Sequence, residues 1–244
     1  WTQVDDLTLD LVLREDVQFQ DGTPLTANDV KYTFDRSLQN DAKLGVNGIF
    51  RLAEVQALDD YTVRFITKKP SGSLLTQLSQ RNASIVPAAY HQEVGYEGFQ
   101  QAPMGSGPFK LVEFVPDSQL KLVRNENYHG GMPAAKSVTV TAIPEVSTRI
   151  AALLNGEVDL IVDVPPDQTP LIEDTAGFTL NSISPLNANV LDIIGMNPPM
   201  DNKDVRQAMS LAIDRETIVE ELLLGNGLWP SGIQSIFDPL CVER

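Results

Sequence analysis

Cysteine and long apolar runs are nearly missing from this sequence, and each shortage excludes a class of protein. The chain of 244 residues has one cysteine, Cys241, so it can form neither an intrachain disulfide nor a cysteine-based metal cluster. It has no run of eighteen apolar residues, so the sequence offers no transmembrane helix candidate. Because the chain starts at Trp1 and not at Met, we expect that an upstream segment was cleaved or left out.

Positive charge is also scarce, and this disfavours polyanionic partners. The chain carries 18 Lys and Arg against 33 Asp and Glu, for a net charge of −15. Nucleic-acid binding needs a surplus of Lys and Arg, so we predict no nucleic-acid partner. The same imbalance disfavours an anionic membrane surface, and solubility is the simplest explanation of the acidity.

Groups for catalysis and metal binding are few. The two histidines, His91 and His129, are not paired with a nucleophile in any recognisable pattern, and Cys241 has no histidine near it in sequence. The sequence has no phosphate loop, zinc pattern or dinucleotide fingerprint. His129 also lacks a second ligand at metal-binding spacing. We therefore predict no enzyme activity, no catalytic residues, no metal and no cofactor.

The sequence does have an ordinary globular composition. Apolar residues make up 42% and charged residues 21% of the chain. Its length suits one large domain or two ordinary ones, and it suffices for a sizeable core.

The segment Leu13–Leu38 predicts a strand, a turn and a capped helix. Apolar residues alternate at its start, and Asp21-Gly22 is typical of a turn. Thr26 is the expected N-cap, with its hydroxyl accepting a hydrogen bond from the backbone near Asp29. The apolar face of the helix would consist of Ala27, Val30, Phe34 and Leu38.

Farther along, the patterning predicts two β-hairpins and one β-α-β unit. Each hairpin consists of two alternating runs around a short polar turn. The β-α-β unit would join two parallel strands by a right-handed helical crossover. The first hairpin covers Val55–Ile66, the second covers Phe109–Arg124, and the β-α-β unit covers Val138–Val162, with a helix from Ser147 or Thr148 to Gly156.

The last third of the chain predicts a strand, Val190–Met196, and two helices. The second helix would run from Thr217 to Leu224 and stop at Gly225. The buried stripe of the first would consist of Val205, Met209, Ala212 and Ile213. We expect the charged residues at the helix ends to form a surface ion-pair network, which contributes little stability. These residues are Arg206, Asp214 and Arg215.

The element Gly105-Ser106-Gly107 has a structural and a functional interpretation. Two glycines around a small hydroxyl favour a tight backbone crossing between subdomains. An anion cradle or a nucleophile elbow is the functional alternative, but the spacing differs from G-x-S-x-G and no phosphate-loop lysine follows. We prefer the structural interpretation.

The Leu13–Leu38 segment resembles the signature of the extracytoplasmic solute-binding proteins that serve peptide and nickel ABC importers, family 5. Its matching residues are Leu13, Arg14, Val17, Phe19, Asp21, Gly22, Pro24, Thr26, Ala27, Asp29 and Val30. Further runs similar to family motifs are Ala102–Phe109, Arg124–Pro133 (with His129 where the family commonly has Trp), Ile143–Asp159 and Asn197–Arg215. The resemblance covers Trp1 to about Gly232, and relatives continue for about as many residues again.

The resemblance implies an α/β fold of the periplasmic-binding-protein type (type II, cluster C), with mixed sheets and an incomplete second lobe. It divides the chain into residues 1–106, a β-rich subdomain of lobe one, residues 107–196, a β-α-β part of lobe one, and residues 197–244, the start of lobe two. Apolar helix faces of the second lobe would then lack their partners, and Val205, Met209, Leu222 and Leu223 would be exposed or covered by another copy of the chain.

The resemblance also implies a function. The chain would belong to the substrate-binding component of an ABC importer, which captures an oligopeptide or dipeptide between two lobes and delivers it to a membrane permease. A nickel complex, an opine or a sugar is the alternative ligand within the family, and a chaperone-like interaction protein is the alternative outside it. The implied location is periplasmic or extracellular, associated with the membrane through the permease.

Three residues are predicted to contact the ligand, because clefts between lobes are lined by loops and element ends. Phe50 lies in a loop where relatives present an aromatic side chain to the ligand. Asn197 lies where the chain passes to the second lobe, and Trp229 lies just past Gly225. Phe50 and Trp229 would offer stacking surface, and Asn197 a hydrogen-bond donor and acceptor.

Overall fold

A computed structural model describes residues 1–38, 51–182 and 193–227 of the chain. The chain divides into two compact units, Trp1–Ala142 and Ile143–Arg244. The three-part division at residues 106 and 196 stays a prediction.

The first unit begins with a four-stranded antiparallel sheet. Its strands are β1 (Thr2–Asp5), β2 (Thr8–Val12), β3 (Leu52–Ala57) and β4 (Thr62–Thr67), in the spatial order β1-β2-β4-β3. β3 and β4 form the hairpin predicted for Val55–Ile66. The alternation in β4 matches its burial, because every second residue of that strand is buried.

Helix α1 (Ala27–Leu38) contributes one face to the core of the first unit. As predicted, Ala27, Val30 and Phe34 are buried, and Leu38 packs against them from the edge. The Phe34 ring meets Phe65 of β4 edge to face, with ring centroids 5.2 Å apart. The buried members of this core cluster are Leu9, Phe19, Leu25, Ala27, Val30, Phe34, Leu52, Val55, Val63, Phe65, Leu74 and Ala83.

Two further helices belong to the first unit. Helix α2 (Leu74–Leu78) is followed by a 3₁₀ turn at Arg81–Ala83. Helix α3 (Ala88–Gln101), which the sequence patterning did not predict, is kinked at Gly95, where φ is +70°.

A second antiparallel sheet follows in the order β5-β6-β7, from β5 (Phe109–Val115), β6 (Gln119–Arg124) and β7 (Ser137–Thr141). β5 and β6 form the second predicted hairpin. The strand register places seven apolar residues on one face, because directly paired residues point to the same side. This apolar face consists of Phe109, Leu111, Phe114, Leu120, Leu122, Val138 and Val140, and none of them is buried.

The second unit starts with helix α4 (Val146–Leu154), which lies where the sequence predicts a helix. Gly156, at φ +73°, ends it, as predicted. The strand predicted at Val158–Val162 is wrong, because residues 158–162 adopt no strand. A strand needs a neighbour for its backbone hydrogen bonds, and no described segment pairs with this one. Residues 193–196 of the predicted Val190–Met196 strand are likewise not strand, and residues 190–192 lie outside the described residues.

The remaining helices are short and largely exposed, although Ile172 of residues 169–173 is buried. They are α5 (Thr169–Glu173), α6 (Lys203–Ala212) and α7 (Arg215–Thr217), with a 3₁₀ turn at Pro166–Gln168 and a π-helical turn at Ile218–Leu222. α6 confirms the first predicted helix, but none of its residues is buried. The stripe predicted as buried on α6 is therefore wrong: Val205, Met209 and Ile213 are half-buried and Ala212 is exposed.

Candidate functional site

The three predicted ligand contacts have different outcomes. Phe50 and Trp229 lie outside the described residues. Asn197 is described and exposed, and its backbone carbonyl accepts a hydrogen bond from the amide of Asp201 at 3.0 Å. It lies in the turn region before α6 and not at the end of the predicted strand, because residues 193–196 form no strand. Its role as a ligand contact stays a prediction.

The start of α1 shows how a family motif residue acts. The Thr26 hydroxyl was predicted to accept a hydrogen bond from the backbone, but it donates one to the Asp29 carboxylate, at 2.9 Å. The same carboxylate oxygen accepts from the Thr26 amide, and the second oxygen accepts from the amide of Ala88, each at 2.9 Å. Asp29 is therefore the capping group and also joins α1 to the start of α3.

Replacing Asp29 by alanine should lower the free energy of unfolding by about 2 kcal/mol, because two backbone amides lose a charged acceptor. Thr26→Ala should cost only about 0.5 kcal/mol, since the Thr26 amide keeps its bond to Asp29. Urea denaturation measures both. Asp35→Ala, which removes a carboxylate paired with Lys31 on the same helix, is the control and should change stability by about 0.5 kcal/mol. Equal losses for Asp29→Ala and Asp35→Ala would contradict the capping role.

Three family motifs meet around Gln20. The Gln20 amide donates to the Gly105 carbonyl at 2.9 Å, and its side-chain amide donates to the Phe109 carbonyl at 2.7 Å. The Gln20 carbonyl accepts from the Lys110 ammonium at 2.7 Å. Gln20, at the first turn, is thus joined to backbone carbonyls of the Ala102–Phe109 motif by its own amide and by its side chain. We refer to this meeting point, together with Asn125, as the motif junction.

Asn125 closes the motif junction from the third motif. It is buried, and its side-chain amide donates to the Gly107 carbonyl at 3.2 Å while its own amide donates to the Pro108 carbonyl at 2.7 Å. Its side-chain oxygen accepts from the amide of Asn127 at 3.3 Å. A buried amide with these partners fixes the local backbone.

The glycine pair at the motif junction differs from the prediction. A Cβ built on Gly105 or Gly107 would meet no heavy atom within 4 Å, and neither residue has positive φ. The predicted tight crossing is therefore wrong. The Gly105 carbonyl accepts from the backbone amide of Gln20, and the Gly107 carbonyl accepts from the side chain of Asn125. An anion cradle would need amide hydrogens there, so this geometry also argues against the functional alternative.

Arg14 and Asp16, near the start of the motif region, form an exposed ion pair. Two nitrogens of the Arg14 guanidinium donate to the two carboxylate oxygens of Asp16, at 2.9 Å and 2.7 Å. These hydrogen bonds, with a smaller Coulomb contribution from Arg14 and then from His129, lower the pKa of Asp16 to about 2.

Arg14→Gln should raise the pKa of Asp16 towards its ordinary value of 3.8, because the main group that stabilises the carboxylate is lost. The pair's contribution to stability is fully present above pH 3.8 and disappears as the pH falls towards about 2. A ¹³C NMR titration of the carboxyl groups measures the pKa. Lys69→Gln, which removes a lysine outside the pair, should leave it unchanged. A pKa that stays near 2 in Arg14→Gln would contradict this assignment.

Arg149, a motif residue of the second unit, also acts on the backbone. Its guanidinium donates to the carbonyls of Ile143 and Asp163, at 2.9 Å and 3.0 Å. These bonds join the segment before α4 to the segment after it.

The predicted ion-pair network at the helix ends is wrong. Arg206 donates to the carbonyls of Met200 and Asp201, and Arg215 donates to the carbonyl of Ser210. The Asp214 carboxylate caps the next helix by accepting from the amide of Thr217 at 3.0 Å. Unpaired backbone groups at helix ends offer these charged side chains fixed partners, whereas an exposed opposite charge offers little.

The described residues offer neither a metal-binding cluster nor a membrane-spanning helix. Within residues 1–38, 51–182 and 193–227, no group of three or more His, Cys, Asp or Glu side chains is arranged to hold a metal ion. No helix in the described part of the chain is long and apolar enough to cross a membrane.

Comparison with known proteins identifies the class. Residues 1–232 match the bacterial extracellular solute-binding proteins, family 5 Middle. The chain therefore belongs to family 5 of the bacterial extracellular solute-binding proteins, and its fold is the α/β fold of these periplasmic binding proteins.

Particular relatives come from peptide and nickel systems. The chain is 32% identical over 222 residues to the probable D,D-dipeptide-binding periplasmic protein DdpA of Escherichia coli K12, covering 88% of this chain and 42% of that protein. It superposes on the periplasmic binding protein DppA of Helicobacter pylori, solved with the peptide STSA, with a TM-score of 0.78 and 25% identity, covering 91% of this chain and 48% of that one.

A nickel-binding structure is as similar in shape. NikA of Staphylococcus aureus, solved in complex with Ni(L-His)2, gives a TM-score of 0.78 and 25% identity over 92% of this chain and 46% of that one. The chain thus spans less than half the length of each of these proteins.

Proposed function

We propose that this chain is part of the substrate-binding component of an ABC importer, and that the whole protein captures an oligopeptide or dipeptide and delivers it to a membrane permease. The observation that carries the proposal is the family match over residues 1–232. Family 5 consists of substrate-binding transport proteins, which are not enzymes. The permease partner and the periplasmic or extracellular location are part of the proposal, and they rest on relatives such as the periplasmic DdpA.

The geometry of the motif residues supports a binding scaffold. The side chains of Gln20, Asp29, Asn125 and Arg149 all hydrogen-bond to the backbone of other segments, and Asp214 caps the helix that follows it. Side chains engaged in this way keep the scaffold rigid and leave ligand selection to loops. Capture would then be a population shift towards a closed state for which the ligand has higher affinity.

A peptide is the favoured ligand class, and a nickel complex is the alternative. The relative with 32% identity is named for a D,D-dipeptide, which favours the peptide. Structural similarity does not distinguish a peptide from a nickel complex, because the peptide-bound DppA and the nickel-bound NikA have the same TM-score of 0.78.

Native mass spectrometry of the full-length protein, purified without refolding, tests the ligand class. A single bound peptide at one-to-one stoichiometry would support the proposal. A nickel-containing adduct would establish the alternative. Heterogeneous binding of unfolded chains, without a defined stoichiometry, would favour a chaperone-like protein and overturn a transport role.

Phe50, Asn197 and Trp229 are the proposed ligand contacts. Alanine at each position in the full-length protein should weaken binding about fivefold or more, because an aromatic stacking surface or a paired hydrogen bond is lost. Isothermal titration calorimetry measures the affinity, with the ligand that native mass spectrometry identifies. Trp1→Ala and Phe114→Ala remove exposed aromatic side chains elsewhere and should leave affinity unchanged. Affinities within about twofold of wild type for all three substitutions would remove these residues from the site.

A further inference from the structure

A cleft of about 490 Å³ opens at one end of the second sheet, within the first unit. It lies where β5 starts, where β6 ends and just before β7 starts. Its lining residues are Lys110, Val123, Arg124, Glu126, Asn127 and Lys136. We refer to it as the basic cleft.

The charge of the basic cleft opposes that of the whole chain. Three of the six lining side chains are cations and one is a carboxylate, whereas the chain as a whole has a net charge of −15. Solubility explains a general surplus of acidic residues, but it does not explain three cationic residues among the six that line one cleft. A concave arrangement of like charges raises the local concentration of counter-ions.

Two of the cations are held in place by neighbouring groups. The Lys110 ammonium donates to the Gln20 carbonyl at 2.7 Å, which fixes its position and leaves hydrogens for a further acceptor. Arg124 is largely covered and donates to Glu126 at 3.1 Å. Lys136 is exposed at the edge of the cleft. Fixed cations bind an anion with less loss of side-chain entropy than mobile surface lysines do.

Two carboxylates oppose these cations, and neither neutralises them fully. Glu126 is 69% exposed, so water screens its pair with Arg124. Lys110 also interacts with Asp21, whose carboxylate accepts hydrogen bonds from the amide and the hydroxyl of Thr23 and keeps its charge. The three cations of the lining thus face two carboxylates, which leaves an excess of one positive charge at the basic cleft.

We propose that the basic cleft binds a small anion bearing carboxylate or phosphate groups. The volume lies in the range of small-molecule sites, about 300–1,000 Å³. Val123 offers one apolar contact, and Asn127 offers an amide that can donate or accept. All lining residues lie in the first unit, so this site needs no residue from beyond Ala142.

Calorimetric titration of the full-length protein with citrate, and separately with inorganic phosphate, tests the proposal and distinguishes the two chemistries. Ionic strength is kept constant with chloride. We expect saturable one-to-one binding of at least one of the two anions. Lys110→Gln combined with Lys136→Gln should weaken it about tenfold, whereas Lys69→Gln, which removes an exposed lysine outside the cleft, should leave it unchanged.

Lysine acylation, read by mass spectrometry, gives a local measurement. The bound anion should slow the acylation of Lys136 about threefold and leave Lys69 unaffected. If Lys110→Gln impairs folding because the hydrogen bond to Gln20 is lost, the single variant Lys136→Gln replaces the double variant in the affinity measurement. Binding that does not saturate, equal affinity in Lys69→Gln and the cleft variants, or unprotected Lys136 would each overturn the proposal.

Discussion

Replacing Phe65 by alanine should lower the free energy of unfolding of the first unit by about 3–5 kcal/mol. Phe65 is 0% exposed and lies between Leu9 and Val55 on the neighbouring strands. The substitution leaves a cavity at the centre of the core and also removes the edge-to-face contact with Phe34. Because domains are typically stable by only about 5–15 kcal/mol, this loss is a large part of the total.

Urea denaturation followed by circular dichroism measures the effect, and Phe114→Ala is the matched control. Phe114 is 56% exposed on the apolar face of the second sheet, so its truncation should cost about 1 kcal/mol or less. Similar losses for the two substitutions would mean that the core is not centred on the α1–β4 contact. An unchanged midpoint for Phe65→Ala would have the same meaning.

The first half of the fold was predictable because its signals are local. The two hairpins and helix α1 follow from alternation, turn residues and a helical apolar face, and these patterns need only neighbouring residues. Helix α3 was not predicted because its local signals are weak. It contains Gly95 and Gly98, has no clear apolar stripe and is kinked at Gly95.

The strand predicted at Val158–Val162 failed because strand formation is not local. The run has the right apolar residues, yet Leu160 and Val162 are 75% and 62% exposed. Apolar alternation indicates that a segment can join a sheet, but a sheet exists only if another strand lies beside it. No described segment supplies that second strand for residues 158–162.

The polar residues of the motifs were recognised, but their partners were not. Thr26 donates to Asp29 instead of accepting from the backbone, and Arg206 and Arg215 bind carbonyls instead of carboxylates. Sequence spacing shows which side chains are near a helix end. It does not show which of several nearby acceptors lies at the right distance and angle.

The candidate site was predictable only in part, because it was inferred from topology and resemblance. Asn197 is exposed, but it lies in a turn region and not at the predicted strand end. The basic cleft, in contrast, had no signal in the sequence. Lys110, Arg124 and Lys136 lie on three separate segments, which become neighbours only when the second sheet forms.

The two units differ sharply in how much apolar surface they bury. Every member of the core cluster lies between Leu9 and Ala83, in the first unit. In the described part of the second unit, the buried apolar side chains are Ile150, Ala152, Leu153 and Ile172. Large apolar residues there that stay exposed are Leu160, Val162, Leu171, Ile194, Met196, Leu211, Ile218, Leu222 and Leu224. Burial of apolar surface is the main favourable term in folding, so the units should differ in stability.

Expressing the units separately should therefore give opposite results. The segment Trp1–Ala142 should unfold in a single sigmoidal transition in urea, because its core is complete within that segment. The segment Ile143–Arg244 should show no cooperative transition and should bind the dye ANS, because its apolar residues remain accessible to solvent. Circular dichroism and ANS fluorescence, recorded on both segments at equal concentration, measure the difference.

Two controls separate this explanation from a general effect of cutting the chain. Phe65→Ala in the segment Trp1–Ala142 should abolish most of its transition, since the remaining stability would rest on a core with a central cavity. Sedimentation velocity shows whether Ile143–Arg244 covers its apolar residues by self-association. A monomeric Ile143–Arg244 segment that unfolds cooperatively and binds no ANS would contradict the prediction, because its apolar side chains would then have to be buried within the segment itself.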